Sequence, residues 1–350
     1  MSKSFKLCIG FVLTTIVLGG CSDEQADQSI KDDVQVIPAM PGTTVDVQPV
    51  SAKKLSAPRI VMTKGEQYYF HKVIEQSLTG DPGSSLNAVS EKIELLLSMT
   101  VINETPTSYG LEVSFHNIRY HHTVGDQQIV YDSRSSANVP PEALPYQGLL
   151  ENGFTLVLNR DNTIREIKGY PKFIEKCISQ YPVSLQQGLT QRLGGDATNP
   201  QQTVSMAMSF LDESIALLPF GPLTSEGDSF PLESTWPTSF VRSQPVPVEE
   251  SIQSRIQHVS GDGQTAHVTI RGELRPLNPQ GSVTVTAVRT RILGGEITGS
   301  CSISLETGLP KSCRIQRDLA LEIASLSQPT ITARKIVVTS LEAWTPPEAR

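Results

Sequence analysis

The sequence predicts a mostly β protein: a large antiparallel sheet, curved or half-barrel-like, of about a dozen strands with one helical insert and two β segments that read as related halves. Three observations predict it. Apolar and polar residues alternate along several long runs, two glycine-led hairpins lie far apart in the chain, and helical periodicity is confined to one central segment.

The first twenty residues stand outside that fold. Lys3 and Lys6 precede an apolar stretch from Leu7 to Leu18, and small residues lead into Cys21. This is a secretory signal layout, and the stretch is too short to cross a bilayer core of ~30 Å at ~1.5 Å per residue. Leu18-Gly19-Gly20-Cys21 resembles the lipobox of bacterial lipoproteins. That resemblance implies cleavage between Gly20 and Cys21, a diacylglyceryl group on the Cys21 thiol and, in most of the family, an acylated new N-terminus. The competing reading is an ordinary signal peptide with a chance cysteine at its end. Two or three acyl chains, at about 0.8 kcal/mol per buried CH₂, hold a protein on a membrane without a transmembrane helix. Ser22 follows the cysteine. In a Gram-negative host that implies the periplasmic face of the outer membrane.

Residues 21–57 are acidic at first and then rich in Pro, Val, Ala and Ser, with no aromatic residue. Such a composition buries too little surface to offset ordering entropy, so a disordered tether with a reach of roughly 35 Å is expected.

Residues 58–169 form the first β half. In "EQYYFHKVIEQSLT" the even positions Tyr68, Phe70, Ile74 and Leu78 share a face. In "EKIELLLSMTVIN" the odd positions Ile93, Leu95, Leu97, Met99 and Val101 do so, although Val89, Ile93 and Leu97 also fit a helix. Leu111, Val113 and Phe115 share a face, after which Ile118 and Tyr120 change parity, the mark of a bulge or a strand end. "GFTLVLNRDNTIREIKG" then reads as a hairpin turning on residues 159–162.

Residues 170–219 are the helical insert. Phe173, Ile174, Cys177 and Ile178 form one stripe. A second helix runs through Leu185, Leu189 and Leu193 with Ser184 as N-cap, and a third opens on Asn199-Pro200 and ends at Pro219. Residues 220–350 form the second β half. "GSCSISLETGLPKSCRIQRDLALEI" repeats the hairpin grammar around Thr307-Gly308.

Three stretches together resemble a family of bacterial, mostly lipid-anchored, β-rich envelope proteins catalogued only as a domain of unknown function. Its Lys-Gly-x-x-Tyr strand is matched by Lys64, Gly65 and Tyr68; its Gly-Asp-x-Trp by Gly227 and Asp228, with Phe230 where Trp is usual; its closing Thr-Gly turn by Thr307 and Gly308. The resemblance spans residues 58–345 and implies fold and location, with no activity attached.

Charge narrows the function classes. The formal net charge is −7, and loss of Lys3 and Lys6 makes the mature chain −9. An acidic chain without a basic block argues against nucleic acid or anionic lipid as the main partner.

Setting aside Cys8 and Cys21 leaves Cys177, Cys301 and Cys313. A hairpin turning around Thr307 places 301 and 313 equidistant from its tip, with Cβ atoms ~4.5–5.5 Å apart. An exported protein then favours a disulfide over two packed free thiols. Cys177 reads as a buried thiol on a helix face. His121 and His122 point to opposite faces of a strand. His116 and His122 share a face at ~20 Å, too far for one ion, so no metal is expected. His71, His258 and His267 are isolated in sequence. Asp228 reads as a turn residue with an Asx hydrogen bond or, less simply, as a functional carboxylate. Ser51-Ala52-Lys53-Lys54 has Ser-x-x-Lys spacing but lies in the tether. No catalytic motif or cofactor fingerprint stands out. The sequence therefore favours a non-catalytic envelope lipoprotein that binds a partner or hydrophobic ligand. An envelope enzyme acting on cell-wall or lipid substrates, or a structural assembly factor, are the alternatives.

Overall fold

The computed structural model describes residues 55–56, most of 60–186, 229–230, 235–242 and most of 248–345. Cys21, the tether, the second and third expected helices and Asp228 lie outside the described residues.

The strands in chain order are β1 (Leu55–Ser56), β2 (Gln67–Gly80), β3 (Val89–Glu104), β4 (Ser108–Val124), β5 (Gln127–Asp132), β6 (Gly153–Asn159), β7 (Ile164–Lys168), β8 (Ser229–Phe230), β9 (Thr235–Arg242), β10 (Val248–Val259), β11 (Thr265–Pro276), β12 (Val283–Val285), β13 (Val288–Ser304), β14 (Pro310–Ser325) and β15 (Gln328–Ala343). Two short helical segments, Pro141–Ala143 and Leu144–Gln147, precede β6, and the helix Tyr170–Ile178 follows β7.

Thirteen strands form one sheet, in the order β7-β6-β4-β3-β2-β15-β14-β13-β11-β10-β9, with β5 also on β4 and β12 also on β13. The neighbours are antiparallel and, among the described residues, the path does not close. β2 and β15, the first and last strands of the sheet in chain order, pair at its middle, so the two β segments share one continuous surface. The remaining strands, β1 and β8, pair with each other.

Alternation governs which side chains go inside. Along β3, Val89, Ile93, Leu95, Leu97, Met99 and Val101 are all buried, so this run is a strand and the helical alternative falls. Burial largely alternates along the run, where a helix would bury positions three and four apart, so pairing with β2 and β4 wins. In β4 the change of parity after Phe115 is a bulge: Leu97 pairs with Phe115 and Leu96 with Asn117, leaving His116 as the extra residue. This corrects the expectation that His116 and His122 share a face. The bulge inserts one residue between them, so His116 is exposed while His122 is buried.

The hairpin β13–β14 turns where the sequence places it. Gly308 has φ +71, a left-handed conformation costly for residues with a Cβ, and its N–H donates to the Ser304 carbonyl. At the other side of the sheet the helix Tyr170–Ile178 buries Tyr170, Phe173, Ile174, Cys177 and Ile178. Phe173 packs edge-on to Phe154 at 5.1 Å and stacks with Phe115 at 6.1 Å. These side chains and the apolar faces of the long strands belong to one core cluster.

Candidate functional site

The sheet has an interior face, buried and mostly apolar, and an outer face that is polar. Register makes the outer face legible as rows. One row runs His258–His267–Ser302–Ser312–Glu342 across β10, β11, β13, β14 and β15. The next runs Arg255–Thr269–Ser300–Arg314–Ser340. Along them lies a shallow dish of about 410 Å³, bordered by the whole first row and by Thr269, Ser300, Arg314 and Ser340 of the second, with Val268, Cys301 and Cys313 between. This is a ligand-sized recess.

Within it the His258 and His267 rings stack at 4.3 Å. His267 Nδ1 and Ser302 Oγ are hydrogen-bonded at 3.1 Å, and Arg314 Nη1 donates to Ser340 Oγ at 3.2 Å. A register shift between Ile256 and His258 brings the two rings together, so histidines isolated in sequence become neighbours. The Ser302–His267 contact has the chemistry of a nucleophile and base, but β13 is paired on both sides. Its backbone N–H groups are therefore occupied by the ladder and offer no oxyanion hole. The contact reads as a cross-strand hydrogen bond between register partners.

Cys301 and Cys313 are register partners with Cα atoms 4.1 Å apart, and their sulfurs lie within bonding distance of each other across the hairpin. Cys177 is buried in the helix, and burial pushes its thiol up to about 12. It is a poor nucleophile there.

The interior face holds charged groups at apolar parity. Lys72, Glu250 and Arg317 are each no more than 3% exposed. Glu91 is buried too. It accepts hydrogen bonds from the Tyr120 hydroxyl at 3.3 Å, from Gln76 Nε2 at 3.4 Å and from the Tyr146 hydroxyl at 3.5 Å. Burial raises its carboxyl above the usual range, against the opposing pull of Lys335. His122 Nδ1 stands 3.7 Å from Glu91 Oε2 and, among the described residues, has no hydrogen-bond partner. Burial lowers the His122 imidazole. Glu91 and His122 border a recess of about 20 Å³ with Gln76 and Lys335, enough for about one water.

No motif contains these groups, yet the sequence carries a signal for them. Lys72 falls in step with Phe70 and Ile74, Glu91 with Val89 and Ile93, Glu250 with Val248 and Ile252, and Arg317 with Ile315 and Leu319. A charge on the apolar parity of a strand has to find a partner inside. Among the described residues no group of three or more His, Cys, Asp or Glu side chains could hold a metal ion, and no helix is long and apolar enough to cross a membrane.

Residues 106–310 match the sequence profile of a family described as "Family of unknown function (DUF6263)", over more than half of the chain. No curated protein matches. Among solved structures the chain is similar to lipovitellin, from work on its lipid–protein interactions, at 9% identity and a TM-score of 0.42, over 82% of this chain and 26% of that one. The chain thus spans about a quarter of the lipovitellin chain it matches. An outer membrane channel from Pseudomonas putida F1 is similar at 8% identity and a TM-score of 0.18, over 85% of this chain and 100% of that one. At these scores neither likeness carries an argument.

Proposed function

The chain belongs to this family of unknown function, and from that premise we propose that it is an exported lipoprotein, held in the cell envelope through Cys21, whose sheet is a non-catalytic binding platform. What supports the reading is the ligand-sized polar dish on the outer face, whose one serine–histidine contact is locked into a ladder. A partner or ligand that engages polar groups fits this recess. A hydrophobic ligand draws no support from it or from the small recess beside Glu91, which polar groups also border.

The test is native mass spectrometry with lipid extraction on the mature protein isolated from its own host. A co-purifying component lost when Thr269, in the dish, is replaced by Trp supports binding there. A clean unliganded mass, together with turnover of a cell-wall or lipid substrate that Asp228→Asn abolishes, favours the envelope-enzyme alternative instead. The anchor is tested separately. Cys21→Ser should abolish lipid labelling and membrane fractionation, and unchanged membrane association would sink that part.

A further inference from the structure

We infer that the outer-face dish is an oxyanion site taking a phosphate-type group, held by Arg314, His267 and the hydroxyls of Ser300, Ser302 and Ser312. The inference rests on the binding reading above and names its chemistry. The dish collects donors. Ser300 and Arg314 are register partners, as are Ser302 and Ser312, and all four border the dish, so a guanidinium and three hydroxyls line one recess over β13 and β14. His267 borders the same recess from β11, beside Ser302, with His258 stacked on it.

Arg314 gives one N–H to Ser340. A guanidinium carries five donors in a planar fork, so one serine contact leaves the geometry that suits a tetrahedral oxyanion. Serine hydroxyls add donors that turn to fit. Among the described residues Glu342 is the one carboxylate bordering the dish, and it lies on β15, beyond Ser312 and farthest from the histidines. A cation would need more carboxylates than that. A sugar would want an aromatic platform, and apart from the two imidazoles no aromatic side chain among the described residues borders the recess. The dish is an island of donors on a chain of net charge −7.

The experiment uses the mature chain carrying Cys21→Ser, so that vesicle association does not report the anchor, and follows the His258 and His267 ring protons by NMR. Inorganic phosphate should shift both saturably. Arg314→Gln should weaken binding about tenfold, the loss of a charge-assisted contact. Arg334→Gln, elsewhere on the outer face in a pair with Asp318, should leave it unchanged. If phosphate is silent but phosphatidylglycerol vesicles, and not phosphatidylcholine vesicles, give an Arg314-dependent shift, the oxyanion is a lipid headgroup and the inference holds. No shift with either probe, or shifts indifferent to Arg314→Gln, overturns it. Arg314 is exposed, and an unchanged melting temperature shows that the variant is folded. A co-purifying component lost with Thr269→Trp despite silence toward both probes would leave the platform standing and remove only its oxyanion chemistry.

Discussion

Glu250 and Arg317 meet inside the protein although two strands lie between the strands that carry them. Arg317 Nε donates to Glu250 Oε1 at 3.1 Å and Nη2 to Oε2 at 3.1 Å, while β11 and β13 separate β10 from β14. On a flat sheet three strand spacings are roughly 14 Å, so the contact requires the sheet to bow toward its interior face. The pair ties that curvature to one charge–charge contact in the core.

Breaking the pair from one side should therefore be costly. Glu250→Gln or Arg317→Met alone should each destabilise by about 3–5 kcal/mol, because the surviving charge stays buried. Replacing both with Leu and Met should recover much of that loss. Urea midpoints of the two single variants and the double variant check it, and additive losses would contradict coupling.

The Glu91–His122 cluster predicts opposing pH dependences. Glu91 titrates above its unfolded value, so the folded state binds the extra proton. Its contribution to stability falls as pH rises from the ordinary carboxylate range through the raised folded value. His122 titrates below its unfolded value, so its contribution falls as pH drops below the ordinary imidazole range toward the lowered folded value. Glu91→Gln should flatten the first slope and His122→Asn the second. Denaturation midpoints across pH 4.5 to 7.5 measure both, and parallel curves for parent and variants would refute the assignment.

Thiol counting tests the Cys301–Cys313 pair. Denatured, unreduced mature protein should show Cys177 as its free cysteine besides any unlipidated Cys21. Titration of Cys301 and Cys313 as well would refute the bridge. Cys313→Ser should lower stability by about 3 kcal/mol, the scale for a loop of this length.

Gly148 is where the segment before β6 meets the helix Tyr170–Ile178. A Cβ there would lie 2.3 Å from the Cys177 Cα. Gly148→Ala should force the helix off its seat and cost about 1–3 kcal/mol. Faster alkylation of Cys177 in the native state is the readout. An unchanged rate would show that the helix has room to shift without opening.

Much of this molecule was legible as parity. Alternation placed Phe70, Ile93 and Leu111 inside before any strand order was known, and equal distance from Thr307 set Cys301 opposite Cys313. Both are local properties. A strand's faces repeat every two residues, and a tight hairpin converts sequence distance into register.

Other features were decided only by tertiary structure. The pairing of β2 with β15, the bulge that takes His116 off the face of His122, the stacking of His258 on His267 and the meeting of Glu250 with Arg317 each depend on which strands became neighbours and where register slipped. Alternation says which face a side chain takes. Strand order, bulges and the bow of the sheet come from hydrogen bonding and packing between residues far apart in the chain, and these decide what each face holds together.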